Sequence, residues 1–279
     1  MFRITGADGE HAVLHDLGGH GPPLLLTHGN GLNAGMWATV VPHLTSNFHC
    51  HGLDFRGHGA SRVVNPGFSV ERDFFVAEVL GAVERLGGPL AGVGHSLGGA
   101  TMVRTEMENP GNFTRLFTFE PVIVPPGGPR PDEEHPLVVA SRKRRTRFES
   151  IEAAVERFTS KPPYSECEQA AVTAYVELGT APVDGGPEVE LTCSGDTEAR
   201  VFMSGVPTDF DELARVRCPT AVARGEEISG GNEIPPMMAA PIAESVRDGR
   251  LVPMEGLTHF GPMENGLQVA QAILDFLSE

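Results

Sequence analysis

The 279-residue chain carries 37 Asp and Glu against 21 Lys and Arg, a formal net charge of −16. Apolar residues at 40% and charged residues at 21% describe a globular protein, with room for one large α/β domain or for such a domain carrying an insertion. The excess of acids argues against nucleic acid or an anionic membrane as partner, since both need clustered cations, and no apolar run approaches the roughly 18 residues of a spanning helix.

The amino terminus, Met1-Phe2-Arg3-Ile4, has no apolar signal segment. Cys50, Cys167, Cys193 and Cys218 lie far apart without paired spacing, so free thiols in a reducing, cytoplasmic setting are expected.

In chain order, Phe2–Thr5 and His11–Leu17 flank a Gly-rich turn and predict a β-hairpin. Leu24–Thr27 is a short continuous apolar run of the kind that suits a strand buried on both faces. Phe48–Leu53, Leu90–Val93, Arg115–Phe119, Thr220–Ala223 and Arg250–Pro253 are further strand candidates. Val70–Leu86, Leu97–Glu108 and Leu267–Leu277 have helical patterns. Two strands followed by alternating strands and helices predict a doubly wound, mostly parallel α/β sheet. From 125 to 207 the strand candidates stop. A Pro/Gly-rich start and helical segments near Leu137–Arg147, Ile151–Phe158 and Glu166–Leu178 predict a mainly helical insertion there, with 1–124 and 208–279 forming the core.

Gly94-His95-Ser96-Leu97-Gly98 is the most informative segment. It is G-x-S-x-G placed directly after an apolar strand and directly before a helix. So tight a strand-to-helix turn strains the serine backbone and leaves no space for side chains two residues either side. Ser96 then projects at a helix amino terminus, where the dipole favours developing negative charge.

With these residues the chain resembles the α/β-hydrolase family. His28-Gly29-Asn30-Gly31 resembles its HG loop, Asp54-Phe55-Arg56-Gly57-His58-Gly59-Ala60-Ser61 its D-x-R-G-x-G-x-S turn, and Gly256-Leu257-Thr258-His259 its carboxyl-terminal G-x-x-H. The resemblance covers most of 20–124 and 210–279 and makes the insertion a cap.

It implies an oxyanion hole built from the backbone N–H groups of Asn30 and Leu97, with the Asn30 amide as an additional donor. Gly29 and Gly31 of that loop, Trp37 and His95 stand as substrate-facing candidates; core packing accounts for Trp37 equally well.

Serine acyl transfer needs a base and a carboxylate that orients it. Of eleven histidines, His259 alone follows the final strand, and family order places the base last. His49 and His51 alternate on one strand, and burial there is preferred over a metal pair. For the acid, Glu120 closes the apolar strand Leu116–Phe119, an expensive place for a charge that is neither exposed nor functional. Some relatives carry their acid at this position, and Glu120 is favoured over Glu227. Asp54 and Arg56 are read as bracing a loop, and the basic patch Arg142–Arg145 with Arg147 as a solvated face of the cap in preference to an anion-recognition site.

The expected activity is cofactor-independent hydrolysis of a small-molecule carboxylic ester or lactone through an acyl-enzyme. Thioester or β-diketone C–C cleavage is the alternative, and a non-catalytic ligand-binding protein the reading from another class. No metal site is expected, and a homodimer is left open.

Overall fold

A computed structural model describes residues 1–63, 65, 67–228 and 233–279. Its frame is an eight-stranded sheet of β1 (Phe2–Thr5), β2 (His11–Gly19), β3 (Pro23–Thr27), β4 (His49–Asp54), β5 (Leu90–His95), β6 (Phe113–Phe119), β10 (Thr220–Gly225) and β11 (Gly249–Met254). The spatial order is β1-β2-β4-β3-β5-β6-β10-β11. The β1–β2 and β2–β4 pairs are antiparallel and all later pairs parallel.

The strand sequences explain why the sheet is covered on both faces. Leu24, Leu26, Phe117, Phe119, Ala221 and Ala223 enter one core, together with Trp37, Ile273 and Phe276. The alternate residues Leu25, Leu116 and Val222 enter a second, together with Phe75, Val79, Met102 and Ile242. A period of two with apolar residues in both registers requires a layer on each side.

The helices supply those layers: α1 (Val41–Leu44), α2 (Arg72–Leu86), α3 (Leu97–Glu108), α8 (Ile234–Ser245), α9 (Gly261–Glu264) and α10 (Gly266–Leu277). Helix α8 has no counterpart in the sequence reading. Pro235, Pro236 and Pro241 interrupt its pattern, yet the first two fall in the opening turn, where a missing N–H costs nothing.

Between β6 and β10 lie α4 (Pro136–Lys143), α5 (Ile151–Thr159), α6 (Gln169–Gly179) and α7 (Gly195–Met203). This stretch also holds a three-stranded antiparallel sheet of β7 (Arg147–Phe148), β8 (Thr180–Pro182) and β9 (Val189–Leu191), in the order β7-β9-β8. The expectation that strands stop after residue 125 is therefore corrected. Strands of two or three residues are too short to show alternation in a sequence.

All four cysteines are free. No helix among the described residues is long and apolar enough to cross a membrane.

Candidate active site

The carboxyl ends of the parallel strands lie side by side, and the residues after them converge. His95 is in register with Phe119, and Phe119 with Ala223. Ser96 and Glu120 therefore follow neighbouring strands at the same height, the edge where open α/β sheets place their ligands.

Ser96 has φ +51° and Glu120 φ +44°, both left-handed. Each is fixed by a ladder-like hydrogen bond: Ser96 N–H donates to the Phe119 carbonyl at 2.9 Å, and Glu120 N–H to the Ala223 carbonyl at 2.9 Å. A Cβ at Gly94 would lie 2.6 Å from the Gly99 backbone, and one at Gly98 would lie 2.5 Å from Thr27 Oγ1. The spacing of these glycines around Ser96 is thus a steric requirement of the turn.

Glu120 is fully buried. Its Oε2 accepts from His259 Nδ1 at 2.7 Å, and its Oε1 accepts from Gly225 N–H at 2.9 Å. Glu227 is exposed and carries no side-chain contact to His259 among the described residues. With Nδ1–H committed to Glu120, the free lone pair of His259 is on Nε2. Burial lowers His259 to about 4, holding the ring neutral. Burial also raises Glu120 to about 7, opposed by the Gly225 N–H and the Arg224 charge.

The His259 loop is clamped from two sides. His95 Nε2 donates to the His259 carbonyl at 2.8 Å, and Glu264 accepts from Thr258 N–H at 2.8 Å. No hydrogen bond joins Ser96 to His259 here; such contacts commonly tighten only when substrate is bound. Both residues open onto the same two cavities.

The 28–31 loop is held by neutral histidines. His28 accepts from Phe55 N–H at 3.1 Å and is lowered to about 3 by burial, and His58 accepts from Gly31 N–H at 3.1 Å. The backbone N–H groups of Asn30 and Leu97 have no acceptor among the described residues, and both residues line the smaller cavity. One N–H of the Asn30 side-chain amide donates to the Glu198 carbonyl at 2.9 Å, which fixes the orientation of the amide and leaves its second N–H without an acceptor of its own among the described residues.

Gly29 and His95 line the larger cavity. Gly31 lines neither, and Trp37 is fully buried in the core. Its indole packs among apolar residues beneath the sheet, which rules out contact with a ligand in either cavity.

The remaining sequence candidates take structural places. Asp54 is buried and accepts from His15, Ala34 N–H and Ala60 N–H at 2.7–2.8 Å, tying strand β2, the turn at Ala34 and the turn at Ala60 together. Arg56 is buried against Glu78 and Asp8, each at 2.6 Å. His49 and His51 gather with Asp16, all three ligand-capable atoms within 4.8 Å, at the amino ends of the strands and so on the edge opposite Ser96.

The smaller cavity, about 160 Å³, runs along α3 past Leu97, Ala100 and Met107 to Ile123 and Leu213. The larger, about 620 Å³, lies between the 28–31 loop and the segment of α4, α5 and α7. Sequence reasoning picked out the basic patch near Arg142–Arg145 but missed that part of it lines a cavity with Arg157, Lys161 and aromatic rings, because these residues come from separate helices and their connections.

Residues 24–272 match the profile of the alpha/beta hydrolase family. The chain belongs to the alpha/beta hydrolase family. Protein phosphatase methylesterase 1 of Homo sapiens is 37% identical over 98 residues, 33% of this chain and 25% of that protein. The pimeloyl-[acyl-carrier protein] methyl ester esterase of Nitrosomonas europaea is 34% identical over 98 residues, 35% of this chain and 36% of that protein. The matches span only about a quarter to a third of the length of these relatives.

Among solved structures of this hydrolase fold, E-2-(acetamidomethylene)succinate hydrolase superposes with a TM-score of 0.79 at 22% identity, covering 100% of this chain and 98% of that one. An esterase from Thermogutta terrifontis superposes with a TM-score of 0.68 at 22% identity, again covering 100% and 98%.

Proposed function

We propose that this alpha/beta hydrolase is a serine esterase cleaving carboxylic esters, lactones among them, through an acyl-enzyme. The observation that carries the reading is the buried Glu120–His259 pair opening onto the cavities that also expose Ser96 and two unpaired N–H groups. The curated relatives named as methyl esterases support an ester as the scissile bond.

In the first half-reaction His259 Nε2 takes the Ser96 hydroxyl proton while Oγ attacks the carbonyl carbon. The carbonyl oxygen becomes an oxyanion between the N–H groups of Asn30 and Leu97. Collapse expels the alcohol, which leaves with the proton from His259. Water then repeats the sequence, releasing the acid and restoring Ser96. Glu120 holds the Nδ1–H tautomer and faces the imidazolium as it forms. The segment between β6 and β10 acts as a cap that shapes the pocket and excludes water.

Intact-mass measurement after treatment with a small fluorophosphonate tests this. Wild type gains one phosphonyl adduct with loss of fluoride, and Ser96→Ala gains none. An unlabelled wild type, or ester turnover by Ser96→Ala equal to wild type, would sink the proposal.

A further inference from the structure

The larger cavity carries charge of the wrong sign for this protein. The chain has 37 acids and 21 bases, so an average patch of its surface shows more carboxylates than cations. The lining of this cavity holds Lys143, Arg144, Arg145, Arg157 and Lys161 against a single acid, Glu198.

These cations are not equally engaged. Arg145 is bound to Glu149 at 2.9 Å. Arg144 is paired with Glu198 at 2.7 Å and donates to the Cys193 carbonyl at 2.7 Å, while its Nε is buried with no partner. The side chains of Lys143, Arg157 and Lys161 have no ion pair and no hydrogen bond among the described residues.

Like charges gathered on one concave wall repel one another, and solvent screens that repulsion only in part at these short separations, so an entering anion relieves it. The same cavity is lined by Phe148, Phe158, Tyr164 and Phe260, and it reaches Ser96 and His259. A ligand that fills it therefore meets aromatic rings along its length and guanidinium or ammonium groups on the wall.

We infer that the ester cleaved at Ser96 bears an anionic group, a carboxylate, which the larger cavity binds through Arg157 and Lys161, the unpaired cations that line it beyond the paired Arg144. The inference rests on the esterase reading. It extends that reading to a substrate class: half-esters of dicarboxylic acids and esters of carboxylate-bearing alcohols. The molecule's net charge of −16 repels anions at a distance, and screening confines the cavity's field to about 8 Å at physiological salt. Recognition is therefore expressed in KM, after entry, rather than in steering. The basic run Arg142–Arg147 divides accordingly. Arg142, Arg145 and Arg147 pair with the exposed Glu133, Glu149 and Glu190, whereas Lys143 and Arg144 line the cavity without such an outward partner.

The test compares 4-nitrophenyl hexanoate with mono-4-nitrophenyl adipate, equal in acyl carbon number, and measures adipate binding by calorimetry. Both are repeated on the double variant Arg157→Gln, Lys161→Gln, whose positions are exposed. Charge-assisted hydrogen bonds of this kind predict a ten- to hundredfold preference in kcat/KM for the adipate ester, expressed in KM. The ratio should fall towards one in the double variant, with adipate binding weakened by about tenfold or more.

Equal kcat/KM for the two esters in wild type, with no adipate binding, overturns the inference and leaves the esterase standing. A preference that survives in the double variant overturns it too, and loss of that preference on replacing Arg72, which lines the smaller cavity, by Gln would move the anion there. Adipate binding that depends on Arg157 and Lys161, without hydrolysis of either ester, retains the anion site and refutes the esterase.

Discussion

Replacing Glu120 by Gln changes one group in a fully buried setting whose every partner is known. The carboxylate accepts two N–H donors, from His259 Nδ1 at 2.7 Å and Gly225 at 2.9 Å. A carboxamide offers one acceptor oxygen and one NH2. If the oxygen stays on Gly225, the NH2 points at Nδ1, and the imidazole must take the opposite tautomer to accept it. Nε2 then carries the proton and cannot receive another from Ser96. Loss of a triad carboxylate by amide substitution costs on the order of 10⁴ in kcat, so turnover of a 4-nitrophenyl ester should drop by about 10³–10⁴ with KM nearly unchanged.

Stability should not follow. Burial raises Glu120 from 4.5 to about 7, so its ionised form opposes folding, and that opposition grows as pH rises from 4.5 to about 7. At pH 8 the full difference corresponds to roughly 3 kcal/mol, which the amide removes while adding an imperfect contact of about 1–3 kcal/mol. Urea denaturation at pH 8 should thus find Glu120→Gln within about 2 kcal/mol of wild type. Turnover within tenfold of wild type would refute the assignment, most directly if Glu227→Gln proved the damaging change instead.

The acid side of the pH profile follows from the same pair. As pH falls through about 7, Glu120 takes a proton and stops accepting from Nδ1–H; as it falls through about 4, His259 itself is protonated. Ester kcat/KM should therefore be level above pH 8 and decline below 7, and a rate that rises on acidification would contradict the roles given to both. A different test addresses Arg56, buried between Glu78 and Asp8. Glu78→Gln leaves its charge on Asp8 alone and should cost about 2–4 kcal/mol in urea denaturation, with specific activity of the folded protein retained; a cost below about 0.5 kcal/mol would show the pair to be dispensable.

The sequence discloses the parts of this molecule that repeat a local rule. The runs Leu24–Thr27, Arg115–Phe119 and Thr220–Ala223 read as strands because both of their faces are apolar, and they are strands here. Ser96 is legible because the turn leaves no space beside it, and Glu120 because a carboxylate at the end of an apolar strand asks for a partner. Helix α8 was hidden by its prolines, and β7–β9 by their length. Trp37 misleads for a different reason. Nearness to the 28–31 loop in sequence says nothing about which side of the sheet a ring faces. The cationic wall was legible only in part: the run Arg142–Arg145 stands out in the sequence, but that Arg157 and Lys161 line the same cavity emerges only once α4 and α5 fold back over the strand ends.

Glu198 has a consequence for redesign. Its carboxylate holds Arg144, and its backbone carbonyl holds the Asn30 side chain. One residue of α7 thus braces both the substrate wall and the loop assigned to stabilise the oxyanion. Exchanging the segment between β6 and β10 for that of a relative, in order to transplant specificity, would also unfasten Asn30. A successful graft would therefore keep α7 native and vary only the stretch from α4 to α6.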